Sequence, residues 1–147
     1  QAEQAKIKLR LQPYLGHYPE LRSLLVQALD PTYQWILLAH GSRRAGATAP
    51  IEALAQDLGM IPAYWAHPPS LHDAINSLAA AGQTRIGVLP YLLFPGGISD
   101  TLTRWSRELE AAHPPLQLKQ LGTLSEQPGF FQVLRAALPL QLSTASN

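Results

Sequence analysis

A run of apolar residues followed by an amphipathic helical pattern recurs along the chain, and this recurrence constrains the fold more than any other feature. The first run consists of Trp35, Ile36, Leu37, Leu38 and Ala39. A continuous apolar run of this length is typical of a strand buried on both faces of a parallel sheet. A helix is predicted from about Thr48 to Leu58, because apolar residues recur at i, i+3, i+4 and i+7 from Ile51.

The same pattern predicts three further strands and three further helices. The strands are predicted at residues 61–66, 85–90 and 116–121, and the helices begin at Ser70, Ile98 and Pro128. Asp73 lies three residues after Ser70, as in a capping box. The last helix carries the apolar residues Phe131, Leu134 and Leu138. Strands and helices that alternate in this way form right-handed βαβ units, so we predict an α/β fold, a three-layer αβα sandwich with a parallel sheet.

Composition excludes several classes of protein and of site. The 147 residues suggest one domain, and 46% hydrophobic residues against 14% charged residues suffice for a buried core. A formal net charge of +1 favours neither nucleic acid nor an anionic membrane as a partner. No apolar run is long enough to span a bilayer and the first residues are polar, so we expect a cytoplasmic protein. Since cysteine is absent, any metal ligand must be His, Asp, Glu or a hydroxyl group.

Residues 1–33 precede the first complete strand–helix unit and have a pattern of their own. Apolar and basic residues alternate over residues 7–11, as in a half-exposed strand, and Pro19 opens a short predicted helix. The end of the chain repeats this pattern at an offset of 109 residues, with Pro128 in the place of Pro19 (128 − 19 = 109), which indicates duplication. We therefore expect residues 1–33 to be the tail of a preceding sister domain and residues 34–147 to be the α/β domain.

The loop after the first strand carries the strongest candidate for chemistry. His40 ends that strand, and Gly41, Ser42 and Arg43 follow it. Glycine allows a sharp turn, and we expect backbone N–H groups and the next helix dipole to face a ligand and to favour an anion. A neutral imidazole at this place can bind a metal or accept a proton. The alternative is that His40 only hydrogen-bonds a neighbouring loop. The patterns of a P-loop and of a nucleophile elbow are both missing.

A second loop, at residues 91–97, is apolar and rich in glycine and follows the third predicted strand. Ligands of parallel sheets bind beyond the carboxyl ends of the strands, where both loops lie. The two motifs are Ala39-His40-Gly41-Ser42-Arg43 and Leu89-Pro90-Tyr91-Leu92-Leu93-Phe94-Pro95-Gly96-Gly97. In sequence, order and separation they resemble the motifs of the sirohydrochlorin cobaltochelatase/ferrochelatase family, the CbiX/SirB type of class II chelatase. Residues 34–138 most resemble the C-terminal half of a tandem two-domain member.

This resemblance implies a chelatase- or flavodoxin-like sheet and the insertion of Co²⁺ or Fe²⁺ into a carboxylate-rich tetrapyrrole, in cobalamin or siroheme biosynthesis. It implies no tightly bound cofactor, since the metal is a substrate. It implies that His40 is the catalytic residue and the metal ligand. The implied substrate-binding residues are Ser42, Arg43, Tyr91, Phe94, Gly96 and Gly97, with an apolar wall supplied by the second loop. The implied partners are the tetrapyrrole and a sister chelatase domain or a homodimer, without nucleic acid or membrane.

One position departs from the family pattern. The second functional histidine of the family follows the Gly-Gly pair, and here Ile98 stands in that place. Isoleucine neither binds metal nor transfers a proton, and we expect the adjacent Ser99 and Asp100 to cap the following helix. His67 and His72 are expected to be solvated or bonded within loops. Three functions stay open: a chelatase or half of one, a non-catalytic half that stabilises its sister domain, and a flavodoxin-like binder of a phosphorylated ligand.

Overall fold

The apolar run at Trp35 forms a central strand of the sheet. The computed structural model describes residues 11–112 and 115–138. The strands are β1 (Gln34–Ala39), β2 (Ile61–Tyr64), β3 (Arg85–Pro90) and β4 (Gln117–Gln120). The α-helices are α1 (Pro19–Ala28), α2 (Ala49–Asp57), α3 (Leu71–Ala80), α4 (Gly97–Ala112) and α5 (Phe130–Ala137). Two short 3-10 helices are formed by Leu15–His17 and Leu124–Glu126. No helix within the described ranges is both long and apolar enough to cross a membrane.

The sheet has the predicted parallel arrangement. Its strand order is β2-β1-β3-β4, and each neighbouring pair is parallel. Ile36 lies opposite Ile61 of β2 and opposite Val88 of β3. The carboxyl ends of β1, β2 and β3 therefore meet at one edge of the sheet, which brings the loops after β1 and β3 together.

Helices cover both faces of this sheet. Successive side chains of a strand point to opposite faces. Ile36 and Leu38 accordingly pack with residues of α3 and α4, whereas Trp35 and Leu37 pack with residues of α1, α2 and α5. These four side chains are at most 4% exposed, and full burial of each is worth about 1.5–3 kcal/mol. The predicted three-layer αβα sandwich is confirmed.

The start of α3 has the predicted capping box. The backbone N–H of Asp73 donates to Ser70 Oγ at 3.2 Å, and the backbone N–H of Ser70 donates to Asp73 Oδ2 at 2.8 Å. Two donors that the helix itself leaves unpaired are thereby satisfied. The sequence pattern therefore predicted the N-cap residue of this helix correctly.

The helix α5 buries a different set of side chains from the one that the sequence indicated. Phe131 and Leu138 are 70% and 54% exposed, whereas Phe130 and Val133 are buried. The helix begins at Phe130 rather than at Pro128, with Gly129 as its N-cap. The apolar residues form a stripe wide enough for two rotations of the helix, and packing against α1 selects one of them.

The strand β2 is shorter than predicted. It ends at Tyr64 rather than at Ala66. The next two N–H groups still bond to the β1 side of the sheet, from Trp65 to the carbonyl of Ala39 (3.0 Å) and from Ala66 to the carbonyl of His40 (2.9 Å). These bonds fasten the residues after β2 to the residue that carries the candidate imidazole.

The helix α1 packs on the same core as the sheet. Leu21 and Leu25 are 1% and 0% exposed and belong to the apolar cluster of Trp35. The helix predicted after Pro19 is confirmed. The predicted strand at residues 7–11 lies outside the described residues except for Leu11, which is 93% exposed and belongs to no strand. The division of the chain after residue 33 stays a prediction.

The turn before β1 is organised around Asp30. Its carboxylate accepts hydrogen bonds from the hydroxyl of Thr32 (2.6 Å), the backbone N–H of Thr32 (3.0 Å) and Lys119 Nζ of β4 (3.1 Å). Its backbone carbonyl accepts a bond from Trp35 Nε1 at 2.8 Å. The donation by Thr32, followed by that of Lys119, lowers the pKa of the Asp30 carboxyl from 3.8 to about 2.

This lowered pKa predicts an acid-dependent contribution of Asp30 to stability. Since the pKa in the folded protein lies below the unfolded value, the stabilisation is present above about pH 4 and disappears as the pH falls toward 2. We expect Asp30→Asn to lower the free energy of unfolding at pH 7 and to have a smaller effect at pH 2. Urea unfolding of the wild type and of Asp30→Asn between pH 2 and pH 7 measures the difference in their free energies of unfolding. A difference that does not change with pH would contradict the prediction.

Candidate functional site

Two loops form the carboxyl edge of the sheet above β1 and β3. The second loop, residues 91–97, is tied down at both sides by backbone hydrogen bonds. The N–H of Tyr91 donates to the carbonyl of Leu38 in β1 at 2.7 Å. The N–H groups of Leu124 and Ser125 donate to the carbonyls of Leu92 and Leu93, at 2.9 and 3.0 Å. The second loop is therefore fixed relative to the end of β1, where His40 lies.

His40 directly follows β1, and its side chain is exposed. Its position at the carboxyl end of a central strand agrees with the sequence analysis. Within residues 11–112 and 115–138, no group of three or more His, Asp or Glu side chains has the geometry to hold a metal ion. Among the described residues, at most one further His, Asp or Glu side chain could therefore join His40 at a metal, and the other ligands would come from water, from a substrate or from another protein surface.

Two backbone N–H groups after His40 already have partners, one in the loop after β2 and one in the loop of His40 itself. The backbone N–H of Ser42 donates to His67 Nε2 at 3.2 Å, and the backbone N–H of Arg44 donates to Ser42 Oγ at 3.2 Å. The first turn of α2 begins only at Ala49. The expectation that these N–H groups face an anion is therefore wrong for Ser42 and Arg44.

The predicted substrate-binding residues differ in exposure. Ser42, Arg43, Phe94, Gly96 and Gly97 are exposed, and Phe94 is 65% exposed. Arg43 is thus a cation available to a carboxylate. Tyr91 in contrast is half-buried.

Tyr91 lines an apolar cavity of about 460 Å³. It lies between α2 and the second loop, and its lining includes Tyr14, Leu15, Ile51, Leu54, Tyr91 and Leu93. Burial, together with the neighbouring Tyr14, raises the pKa of the Tyr91 hydroxyl above its usual value. Among the predicted site residues only Tyr91 lines this cavity. Sequence reasoning missed Tyr14 and Leu15 as cavity residues, since no local pattern marks a segment that folds back over a distant loop.

The three side chains that follow the Gly-Gly pair lie in the first turn of α4, and their contacts show what each of them does. Ser99 Oγ accepts a hydrogen bond from the backbone N–H of Gly96 (2.9 Å) and donates to the carbonyl of Gly96 (2.8 Å), so its predicted role at the helix start is confirmed. Asp100 is exposed, and its backbone N–H donates to the carbonyl of Gly96 at 3.0 Å. Ile98 is half-buried and packs against the apolar cluster shared by α3 and α4. In this chain the position of the second family histidine is therefore occupied by a half-buried side chain that packs against the core.

His72 and His67 occupy different places, both of the kind expected for histidines without a catalytic role. His72 is exposed on α3, where its ring stacks on Trp105 with centroids 5.8 Å apart. His67 lies in the loop after β2 and contacts the loop of His40. Both of its ring nitrogens have partners within these loops.

The parallel three-layer sandwich, with an exposed imidazole beyond the end of a central strand, defines an α/β protein whose candidate site lies at the carboxyl edge of its sheet. The family model of CbiX matches residues 34–139, and the chain belongs to the CbiX family. Membership supports a chelatase-like role in tetrapyrrole metabolism.

A solved structure supports the same assignment. The chain is similar to the crystal structure of a candidate cobalamin (vitamin B12) biosynthesis CbiX protein from Marinobacter aquaeolei VT8. The two are 26% identical, with a TM-score of 0.60, over 71% of this chain and 89% of the other. No curated protein matches the chain.

Proposed function

We propose that this chain acts in the insertion of Co²⁺ or Fe²⁺ into a sirohydrochlorin-like tetrapyrrole, as one half of a chelatase site. The observation that carries the proposal is the exposed His40 at the carboxyl end of β1, beside the second loop, in a member of the CbiX family. The metal is a substrate, and no tightly bound cofactor is needed.

Metal insertion exchanges the protons of two pyrrole N–H groups for a divalent ion. An imidazole with a free lone pair serves this exchange either by holding the ion before transfer or by accepting a pyrrole proton. His40 is suited to both roles because its ring is open to solvent. Imidazole nitrogen is also a suitable ligand for Co²⁺ and Fe²⁺ in a site without thiolates.

The substrate is held by residues around His40 in this proposal. Arg43 pairs with macrocycle carboxylates by charge-assisted hydrogen bonds, and Ser42 assists through its hydroxyl group. Tyr91 and Phe94 provide apolar surface beside the ring, and the exposed backbone of Gly96 and Gly97 allows close approach. The Gly96 N–H itself bonds to Ser99 Oγ, so it is not free to bind a substrate carboxylate.

The site needs a second half in order to be complete. Ile98 offers no metal ligand, and both nitrogens of His67 have partners within their loops. Tyr14, Trp65 and Phe94 at the same edge are exposed by 62%, 42% and 65%. Apolar side chains gathered around a polar site are typical of a surface that contacts another protein. We propose that this edge faces a sister chelatase domain or a second copy of the chain.

Co²⁺ insertion into sirohydrochlorin, followed by absorbance, tests the proposal directly. We expect the 147-residue chain to bind sirohydrochlorin, and to accelerate insertion over the rate in buffer where a second copy completes the site. If a second copy completes the site, the rate per chain rises with protein concentration. A chain that neither binds sirohydrochlorin nor accelerates insertion at any concentration would contradict the proposal. Thermal stabilisation by inorganic phosphate without tetrapyrrole binding would instead favour a binder of a phosphorylated ligand.

A non-catalytic half is the second candidate, and Ile98 is the observation that favours it. In that case the His40 loop has no chemical role and the apolar edge serves only to stabilise a sister domain. Substitution of His40 separates this candidate from the first one.

A further inference from the structure

The imidazole of His67 is held between two loops. Its Nε2 lies 3.2 Å from the backbone nitrogen of Ser42, and its Nδ1 lies 2.7 Å from the carbonyl oxygen of Pro68. An N–H group points at Nε2, so Nε2 accepts and carries no proton. The proton is on Nδ1, which donates to the carbonyl of Pro68. His67 is therefore a neutral imidazole with a defined tautomer, and both of its nitrogens are in use.

Gly41 allows the backbone of the His40 loop to lie directly against this ring. Its φ angle is +87°, a left-handed conformation that residues with a side chain rarely adopt. A Cβ atom at Gly41 would lie 2.8 Å from His67 Nε2 and 3.0 Å from Tyr64 Cβ. The residue after His40 is thus glycine for two reasons, its backbone angle and the closeness of the ring.

The other side of the imidazole rests on a fixed surface. His67 stacks on Tyr64, with centroids 4.5 Å apart and planes inclined by 28°. Tyr64 is only 2% exposed, and its hydroxyl donates to Glu52 of α2 at 3.3 Å. The Tyr64 ring therefore cannot move without disturbing the core, and it holds His67 against the loop.

We propose that His67 is a positioning residue for the site of His40. Its neutral ring fixes the backbone at Gly41 and Ser42, while the N–H of Ala66 fixes the carbonyl of His40 itself. The N–H of Trp65 holds the carbonyl of Ala39, so the backbone is held both before and after His40 and its imidazole stays directed beyond the sheet edge. The role of His67 in metal insertion rests on the proposed function, whereas its role in ordering the loop does not.

The experiment compares two substitutions of His67 with one matched control. His67→Phe keeps an aromatic ring on Tyr64 but removes the acceptor for the Ser42 N–H, and His67→Gln returns an acceptor oxygen. His72→Phe makes the same chemical change at a histidine that also stacks on an aromatic ring, on the outer side of α3. The measurements are hydrogen exchange of the Ser42 amide, the NMR signals of the His40 ring and the kcat of Co²⁺ insertion into sirohydrochlorin.

In His67→Phe we expect the Ser42 amide to exchange about tenfold faster, the size of effect that loss of one hydrogen bond produces. The NMR signals of the His40 ring shift. The kcat falls by about tenfold, because even a small displacement of the His40 imidazole from its working position slows the reaction. His67→Gln recovers most of each loss, and His72→Phe behaves as wild type. If His67→Gln, which returns only a hydrogen-bond acceptor, restores the wild-type behaviour, then the loss in His67→Phe comes from the missing hydrogen bond and not from a general loss of stability.

Unchanged Ser42 exchange and unchanged His40 signals in His67→Phe would overturn the proposal, whatever the activity of the protein. An unchanged kcat in an active protein would overturn the positioning role. If the wild-type chain inserts no metal, faster exchange and shifted His40 signals in His67→Phe alone still support the ordering of the loop, and only the proposed function fails.

Discussion

Substitution of His40 by alanine is expected to lower the rate of Co²⁺ insertion by about a hundredfold or more, the typical contribution of a positioned acid–base group. His40 is the exposed imidazole at the end of β1, and no cluster of three ligands within the described residues would replace it. The alanine variant keeps the fold, because an exposed side chain contributes little to packing. The measurement is the initial rate of absorbance change, with the two proteins at the same concentration.

His72→Ala is the matched control for this substitution. His72 is also exposed, but it lies on α3 beside Trp105 rather than in the loop after β1. We expect it to retain the wild-type rate. Equal rates in wild type and His40→Ala would remove His40 from the chemistry and favour the reading of this chain as a non-catalytic half.

Substitution of Gly87 by alanine is expected to destabilise the protein strongly, because the added methyl group would overlap the ring of Trp35. Gly87 lies opposite Trp35 in the pairing of β3 with β1, and the indole ring occupies the space that a Cβ atom would take. An added Cβ would lie 2.5 Å from Trp35 Cδ2. The indole cannot move aside, since it is 4% exposed and its Nε1 donates to the carbonyl of Asp30 at 2.8 Å.

Overpacking of this kind lowers the free energy of unfolding by about 3 kcal/mol, which is in the upper part of the usual range. This loss exceeds the gain of about 0.5–1 kcal/mol that comes from replacing a glycine in a strand. For a chain of 147 residues this corresponds to a fall in Tm of roughly 6–12 °C. Urea unfolding followed by tryptophan fluorescence measures the free energy.

Gly97→Ala is the control for Gly87→Ala, because a Cβ built at Gly97 meets nothing within 4 Å apart from its chain neighbours and the nearby backbone of its own helix. Its stability should equal that of the wild type or exceed it slightly, since alanine favours the helix that begins there. A Gly87→Ala protein within about 0.5 kcal/mol of the wild type, the usual range for surface changes, would show that Trp35 can shift without cost.

Local patterns predicted most of the architecture. The unbroken apolar run at residues 35–39 predicted a strand buried on both faces, and the structure buries all five side chains. The capping box at Ser70 marked the start of α3. Parallel topology then placed His40 and the second loop at one edge, because the carboxyl ends of neighbouring parallel strands coincide.

Other features required the packed chain. The sequence of α5 allowed two rotations, and only contact with α1 decided that Phe130 rather than Phe131 is buried. The cavity beside Tyr91 is closed in part by Tyr14, 77 residues earlier in the chain (91 − 14 = 77).

The sequence by itself determined the alternation of strands and helices, the parallel sheet and the motifs of His40 and of the second loop, since each is encoded by neighbouring residues. The tertiary structure alone decided that His67 bonds to Ser42, a residue 25 positions away, and that Ile98 packs against the core. Such contacts depend on the register of strands and the rotation of helices. Both are set by the joint packing of distant segments, which no local pattern encodes.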